Sequence, residues 1–398
     1  MMNRREFLKA VALASTAPLW VRFSSLGAEA STGPLPIPDH LLLVLFLNGG
    51  NDGLNTVVPY LDPAYKIARP TVSLGASDVF ALGGGLGLHK SLARVKSMWN
   101  AGQVAIVHNV GYANPNFSHF DSTQIYETAS RDFRYHTGWL GRYLDATDGP
   151  ASGPVRAVAV GTGSLPRTLV GQNDAGVELD TLGEFAFADG GRADAEFRRS
   201  AYARFGAGLV EDGSMRTAIQ KAQATTTSAV GVVGAVAAGL TDPLTTAETV
   251  AHLFSAGVGT QIGFISVGGF DTHTTQLSAH AQQLTEVDTA IASFFDAANA
   301  LGLGDRATVM TFSDFGRRVG ENASNGTDHG SSMPIMLMGP RVRGGVYGER
   351  PDLTDLSDGN LKPAINFGSV YASVLAQAFG VDPDPIMGAA YPLLPLIQ

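Results

Sequence analysis

The sequence predicts an α/β fold, a three-layer α/β/α sandwich around a mostly parallel sheet, and three observations carry the prediction. Short apolar runs recur at Leu41–Leu47, 104–107, 155–160, Ile262–Val267, 307–312 and 335–338. They are continuous and not alternating, as strands buried on both faces are. Helical patterns separate them, at 88–102 and 275–302 among others, and strands alternating with helices build a sheet covered by helices. With 398 residues, 44% hydrophobic and 16% charged, the chain has material for one large core. No fixed-period repeat, Pro-rich stretch or Gly/Ser linker divides it.

Taken in order, residues 1–30 read as an export signal. "NRREFLKAVALASTAPLW" joins a charged start to an apolar stretch of about a dozen residues, short of the roughly 20 that span a membrane. Arg4 and Arg5, followed by Phe7, Leu8 and Lys9, resemble a twin-arginine signal, and "AEA" at 28–30 reads as a cleavage site. Residues 31–398 then form the mature domain, expected in the periplasm or secreted. Loss of residues 1–30 removes four cations and two anions and moves the formal charge from −9 to −11. So acidic a chain, with no Lys/Arg cluster, excludes nucleic acid as a partner. There is no cysteine, which excludes disulfides and thiolate zinc sites. Residues 190–243 break the strand–helix rhythm and read as a helical insertion.

The chemistry gathers where strands end. The first apolar run exits through "NGGND" to Asp52, that at Ile262–Val267 through "GGFDTH" to Asp271 and His273, and that at 307–312 through "SDFGRR" to Asp314. In an open parallel sheet, ligands bind beyond the carboxyl ends of the strands. Three carboxylates brought to one edge repel each other unless something cationic sits among them. "GTDHG" adds Asp328 and His329. The set Asp52, Asp271, His273, Asp314, Asp328 and His329 suits one or two divalent ions, and mixed oxygen and imidazole ligation favours zinc or manganese over calcium. Asp52 equally fits a helix cap. Asp328 and His329 precede an apolar run, which in a strictly parallel sheet puts them at the opposite edge. The connection of about twenty residues before that run is long enough to be functional and to fold back.

A second candidate is "NPNFSHFDSTQIYETA" at 114–129, where Ser118 opens a helix. Free N–H groups there favour an anion, and a hydroxyl near a metal can act as a nucleophile. Ser118 with Asp121 also reads as a capping pair. His119, Ser122 and Thr123 are lesser candidates. Arg317 is read either as a clamp on an oxyanion or as a surface arginine. No GxSxG elbow occurs, which argues against an α/β-hydrolase serine esterase.

Through "LNGGNDGLNTVVPY", "SHFD", "GGFDTH", "TFSDFGRR" and "GTDHG", in this order from Leu41 onward, and through its twin-arginine start, the chain resembles the bacterial exported family called domain of unknown function 1501. That family is similar to the alkaline phosphatase and sulfatase superfamily. The resemblance implies an alkaline phosphatase-like fold, two metals and a Ser or Thr nucleophile. It makes Asp52 the first metal ligand and Ser118 the nucleophile, with Asp271 and His273 in the second cluster, Asp314 in the third and His329 as the final histidine. Two departures stand out: "DTH" is spaced more tightly than in related hydrolases, and Phe315 stands where they carry a histidine. The expectation is a metal-dependent hydrolase acting on a small anionic phosphate or sulfate ester. The alternative is a non-catalytic exported protein that keeps the fold and binds or assembles with another secreted protein.

Overall fold

The computed structural model describes residues 35–147, 153, 155–180 and 244–398. The signal read at 1–30 and the insertion read at 190–243 (except that 244 onward is described) lie outside the described residues. The elements, in chain order, are β1 (Leu41–Leu47), α1 (Gly53–Thr56), α2 (Pro63–Ala68), α3 (Ala93–Asn100), β2 (Val104–Gly111), α4 (His119–Thr128), α5 (Trp139–Ala146), β3 (Ala157–Val160), β4 (Val177–Leu179), α6 (Thr246–Ser255), β5 (Ile262–Val267), α7 (Gln276–Ala300), β6 (Ala307–Ser313), β7 (Met333–Met338), β8 (Gly345–Tyr347), β9 (Ile365–Asn366) and α8 (Phe367–Ala378). Each apolar run became a strand. The run at 88–102 became a helix only over α3, because Leu86–His89 pairs as a strand with Val79–Gly83.

The chain divides into two compact units, one of Met1–Pro38 with Thr137–Gly263, the other of Asp39–His136 with Phe264–Gln398. In the first unit β3 runs parallel to β4, Val158 opposite Val177, and α6 packs on β3. Thr245 and Glu248 form a reciprocal capping box that starts α6.

The second unit holds the larger part of a mixed, mostly parallel sheet with helices packed on it, an α/β sandwich. β1 lies parallel to β6, from Leu41 opposite Ala307 to Leu47 opposite Ser313. All seven residues of each are buried, which accounts for their unbroken apolar sequence. β8 and β9 are parallel to β2. The exception is β7, antiparallel to both β2 and β6. Its register shifts between Met333 and Ile335, at Pro334, which has no N–H to give a ladder. The sequence left His329 on the wrong edge only if all strands run one way. With β7 reversed, the chain enters it beside the carboxyl ends of β2 and β6, so residues just before Met333 arrive at the same edge as those after Ser313.

Helix α7 is amphipathic. Leu284, Val287, Ile291, Phe294, Phe295 and Ala298 are buried at three- and four-residue spacing. It ends before Gly302, whose φ of +72° takes the left-handed turn. Truncating Leu284, Ile291, Phe294 or Phe295 to alanine costs about 2–5 kcal/mol. No helix among the described residues is long and apolar enough to cross a membrane.

Candidate metal centre

At the end of β1 the backbone turns through Gly49 and Gly50, with φ of +119° and +83°. A Cβ on Gly50 would lie 2.4 Å from the Phe315 ring, and one on Gly49 2.6 Å from the Asp271 nitrogen, so both positions require glycine. The turn aims the amides of Gly49 and Gly50 at one carboxylate oxygen of Asp314, which also accepts from the Ser313 hydroxyl at 3.0 Å. Asp314 is fully buried. Its other oxygen accepts a short hydrogen bond from Nδ1 of His119, in the first turn of α4.

His119 is one of three imidazoles fixed in this way. His329 Nδ1 donates to the Phe117 carbonyl at 2.8 Å, and His273 Nδ1 donates to Asp328 at 3.1 Å. A carbonyl and ionised carboxylates only accept, so each Nδ1 carries a proton, and in the neutral form of the ring the lone pair is on Nε2. The three Nε2 atoms gather at Asp271. His273 and His329 each stand 3.1 Å from its Oδ1, and His119 stands 3.6 Å from its Oδ2. The Nε2 atoms of His273 and His329 are 2.9 Å apart. Two lone pairs at that distance need a positive charge between them, a shared proton or a metal ion.

The chemistry of this donor set fits a divalent ion. One oxygen or nitrogen from each of His119, Asp271 and His329 lies within 4.8 Å of the other two, and the set is imidazole and carboxylate, as zinc and manganese prefer. Outer oxygens that hold the far nitrogen of each ring are what a metal site uses to orient its histidines. Burial raises the pKa of Asp271, but its contacts with Arg317 and His329 and the charges of Arg317 and His273 outweigh it and bring it to about 2. Burial lowers that of His329, against the Phe117 and Asp271 contacts that raise it, a shift toward the uncharged form that a ligand needs.

Not every carboxylate expected at the ion joins it. Asp52 is fully buried, caps α1 by accepting from Leu54 N–H at 3.1 Å, and is clamped by Arg69 through two bonds of 2.6 and 3.0 Å and by the Gln276 amide. Burial pushes its pKa up, yet the charge and hydrogen bonds of Arg69 prevail and hold it below the ordinary value. Its lone pairs are taken, and the cap reading describes it. Asp314 and Asp328 likewise face imidazole Nδ1 atoms and act as props for the rings. The mutual repulsion read from the sequence is real, and the chain meets much of it with its own cations, Arg69 beside Asp52 and Arg317 beside Asp271.

Arg317 needs correction as an anion clamp. It is 2% exposed. It donates to the carbonyls of Gly49, Gly50, Phe270 and Thr327 and to Asp271 at 2.7 Å, with His273 Nε2 3.5 Å away. Every N–H meets an acceptor within the chain, so its work is to position Asp271 and the loops around it. Ser118 is exposed and caps α4, its hydroxyl 3.5 Å from the Asp121 nitrogen, a long contact that leaves the side chain free to turn. Phe315 is buried against the rings of His119 and His329, tilted to both, with centroids 4.7 and 4.3 Å away. His119 ranked behind Ser118 in the sequence, and its signal was its place in a helix's first turn. Arg69, in "KIARPT", carried no pattern at all.

An α/β sandwich with an imidazole–carboxylate cluster at the carboxyl edge of its sheet is the class these features define. The chain belongs to the family described as Protein of unknown function (DUF1501), which it matches over residues 39–387. No curated protein matches it. Among solved structures it is similar to the C-terminal periplasmic domain of EcEptC from Escherichia coli, with 8% identity, 94% of this chain and 87% of that one covered, and a TM-score of 0.38. It is also similar to murine ectonucleotide pyrophosphatase/phosphodiesterase 5 in complex with AMP, with 9% identity, 88% and 96% covered and a TM-score of 0.37. A third is TAB5 alkaline phosphatase with magnesium bound, with 8% identity, 79% and 95% covered and a TM-score of 0.34.

Proposed function

We propose that the chain is an exported metal-dependent hydrolase of phosphate or sulfate esters that works with one divalent ion, zinc or manganese, held by His119, Asp271 and His329 with His273 beside them. The observation that supports it is the convergence of three imidazole lone pairs on one carboxylate, each ring held from behind by an oxygen. When bound, the ion supplies Lewis acidity toward an ester oxygen. Asp271 and His273 are 48% and 40% exposed in their side chains, which leaves the cluster open to a substrate, as catalytic sites require and structural ones do not. The ester class rests on the family resemblance and on α4, a ten-residue helix whose free N–H groups favour an anion.

The residues of the chain divide the work. Asp314, Asp328 and the Phe117 carbonyl keep the imidazoles in the tautomer that binds a cation. Arg317 orients Asp271. Ser118, adjacent to His119 and exposed, is the hydroxyl placed to attack an ester seated at the helix N-terminus. Among the described residues the other carboxylates expected at an ion are otherwise engaged, Asp52 by Arg69 and Asp314 by His119 and backbone amides. That occupation, with Phe315 packed against the rings, favours a second reading, a non-catalytic exported protein that keeps the fold and binds or assembles with a secreted partner.

Metal analysis of protein exported by its own signal, followed by assay on p-nitrophenyl phosphate and p-nitrophenyl sulfate, separates the two. The hydrolase reading expects one zinc or manganese per chain, lost in His329→Ala, and turnover that Ser118→Ala removes while the ion stays. A retained ion with no turnover on any ester leaves the binding reading. Protein that holds less than one divalent ion per chain refutes the hydrolase reading and favours the binding one.

A further inference from the structure

Gln276, the first residue of α7, is fully buried, an uncommon place for a glutamine. Its amide is engaged at both ends. Nε2 donates to Asp52, the carboxylate clamped by Arg69, and an ionised carboxylate only accepts, so the amide has one orientation. Oε1 then faces the other way, where it accepts from the hydroxyls of Thr272 at 3.2 Å and Thr327 at 2.6 Å, both buried residues. Thr272 stands between Asp271 and His273, and Thr327 comes just before Asp328 and His329. The two turns that carry these side chains are therefore hooked to one carbonyl oxygen. They also touch through their backbones. Thr327 N–H donates to the Thr272 carbonyl at 3.3 Å, and a Cβ on Gly326 would lie 2.2 Å from the carbonyl carbon of His273. Arg317 spans them from another side, donating to the Thr327 carbonyl at 2.8 Å and to Asp271 at 2.7 Å.

We propose that Gln276 is a positioning residue of the metal centre, setting the spacing of Asp271 and His273 to His329 by holding the Thr272 and Thr327 hydroxyls against the buried Asp52–Arg69 pair. The inference rests on the one-ion reading above and extends it. Asp52, expected from the sequence as a metal ligand, serves the ion at a distance, as the anchor of the amide that aligns the ligand turns. Spacing matters here because the Nε2 atoms of His273 and His329 stand 2.9 Å apart, and a site of this kind tolerates displacements of only about 0.5 Å. A buried polar network whose members are all paired supplies that rigidity. Backbone contact alone does not, since the bond between the turns is long at 3.3 Å, whereas the Thr327 hydroxyl makes the shorter bond, to Gln276.

Thr327→Val tests this, because it deletes the hydroxyl and keeps the shape of the side chain, while Thr327→Ser keeps the hydroxyl and loses a methyl. Zinc affinity of the exported full chain is read by chelator competition, and the histidine ring nitrogens are read by ¹⁵N NMR on the same protein stripped with EDTA. Thr327→Val should bind zinc roughly fivefold more weakly, the worth of one buried hydrogen bond, and should shift the ring resonances of His273 and His329. Thr327→Ser should match the wild type in both readouts, and Gln276→Met should exceed Thr327→Val in both. Wild-type affinity and wild-type ring resonances in Thr327→Val overturn the proposal even if its urea midpoint falls, since the hydroxyl would then add stability alone. A serine variant that loses as much as the valine one overturns it too. If the wild type itself holds no divalent ion, the hydrolase reading fails separately, and the ring resonances of the stripped protein decide the role of Gln276 by the same comparison.

Discussion

Replacing Arg69 by methionine probes the ion pair that takes the place of a metal at Asp52. Arg69 is fully buried and donates to both oxygens of Asp52, to Asn55 Oδ1 at 2.7 Å, and to the carbonyls of Val319 and Arg318 at 2.9 Å each. Removing one partner of a buried ion pair costs about 3–5 kcal/mol. The three other acceptors that lose a donor add roughly 1 kcal/mol each where water cannot reach them. The sum, about 6–8 kcal/mol, approaches the whole stability of a typical domain, so Arg69→Met should be unfolded or close to it at neutral pH. The pH dependence has a definite sign. In the wild type the depressed pKa of Asp52 gives stability that is present above its unfolded value of about 3.9 and fades as pH falls through the folded value. Without Arg69, burial, the largest influence on the carboxyl, is opposed only by the charges of His280 and Arg317 and by the Leu54 and Gln276 bonds, and the pKa of Asp52 rises. The variant should then gain stability as pH is lowered from 7 toward 4, relative to wild type. Asp52→Asn in the same chain removes the stranded charge and should restore part of the loss. Urea denaturation followed by circular dichroism at pH 7 and pH 5 reads all three. A cost for Arg69→Met under about 1 kcal/mol, or parallel pH profiles for variant and wild type, would refute the assignment of Arg69 as the counter-charge of Asp52.

Other expectations follow from the same contacts. Asp314→Asn leaves His119 without its anionic prop and should lower zinc affinity about 10–100-fold, read by chelator competition; unchanged affinity would show that the ring is held otherwise. Gly50→Ala forces a side chain into the Phe315 ring at a positive φ and should destabilise by more than about 1 kcal/mol; a neutral urea midpoint would contradict the described turn. His40 and His280 have pKa values lowered by burial to about 4 and about 3. Each adds stability that is complete above pH 6.5 and fades as pH falls, at up to about 1.4 kcal/mol per pH unit. Urea midpoints between pH 7.5 and 5 should decline, less so in His40→Asn, and a flat profile would sink the argument.

The strands were legible because burial on both faces demands unbroken apolar residues, and that demand is local. Strand direction is not local. Nothing in "MPIMLM" distinguishes a reversed strand from a parallel one, although Pro334 marks the bulge at its start. Asp271, His273 and His329 could be read because each stands in a short polar turn beside an apolar run. The roles of Asp52 and Asp314 could not, since a carboxylate that binds an ion and one that holds an arginine or a histidine look alike until the partner is known. Arg69 and Arg317 show why the partners were missed. A buried arginine is defined by the acceptors it meets, and two of those of Arg69, the carbonyls of Val319 and Arg318, come from residues about 250 positions away along the chain.

The reversal of β7 also sets a rule about length. Gly330, Ser331 and Ser332 alone connect His329 to Met333, the first residue of the strand. A residue added there would move the imidazole by about 3.3 Å and swap the faces of the segment, whereas insertions farther upstream, around Ser324, would be absorbed at the surface. Natural variants of this chain should therefore differ in size before the histidine and keep a constant spacing after it.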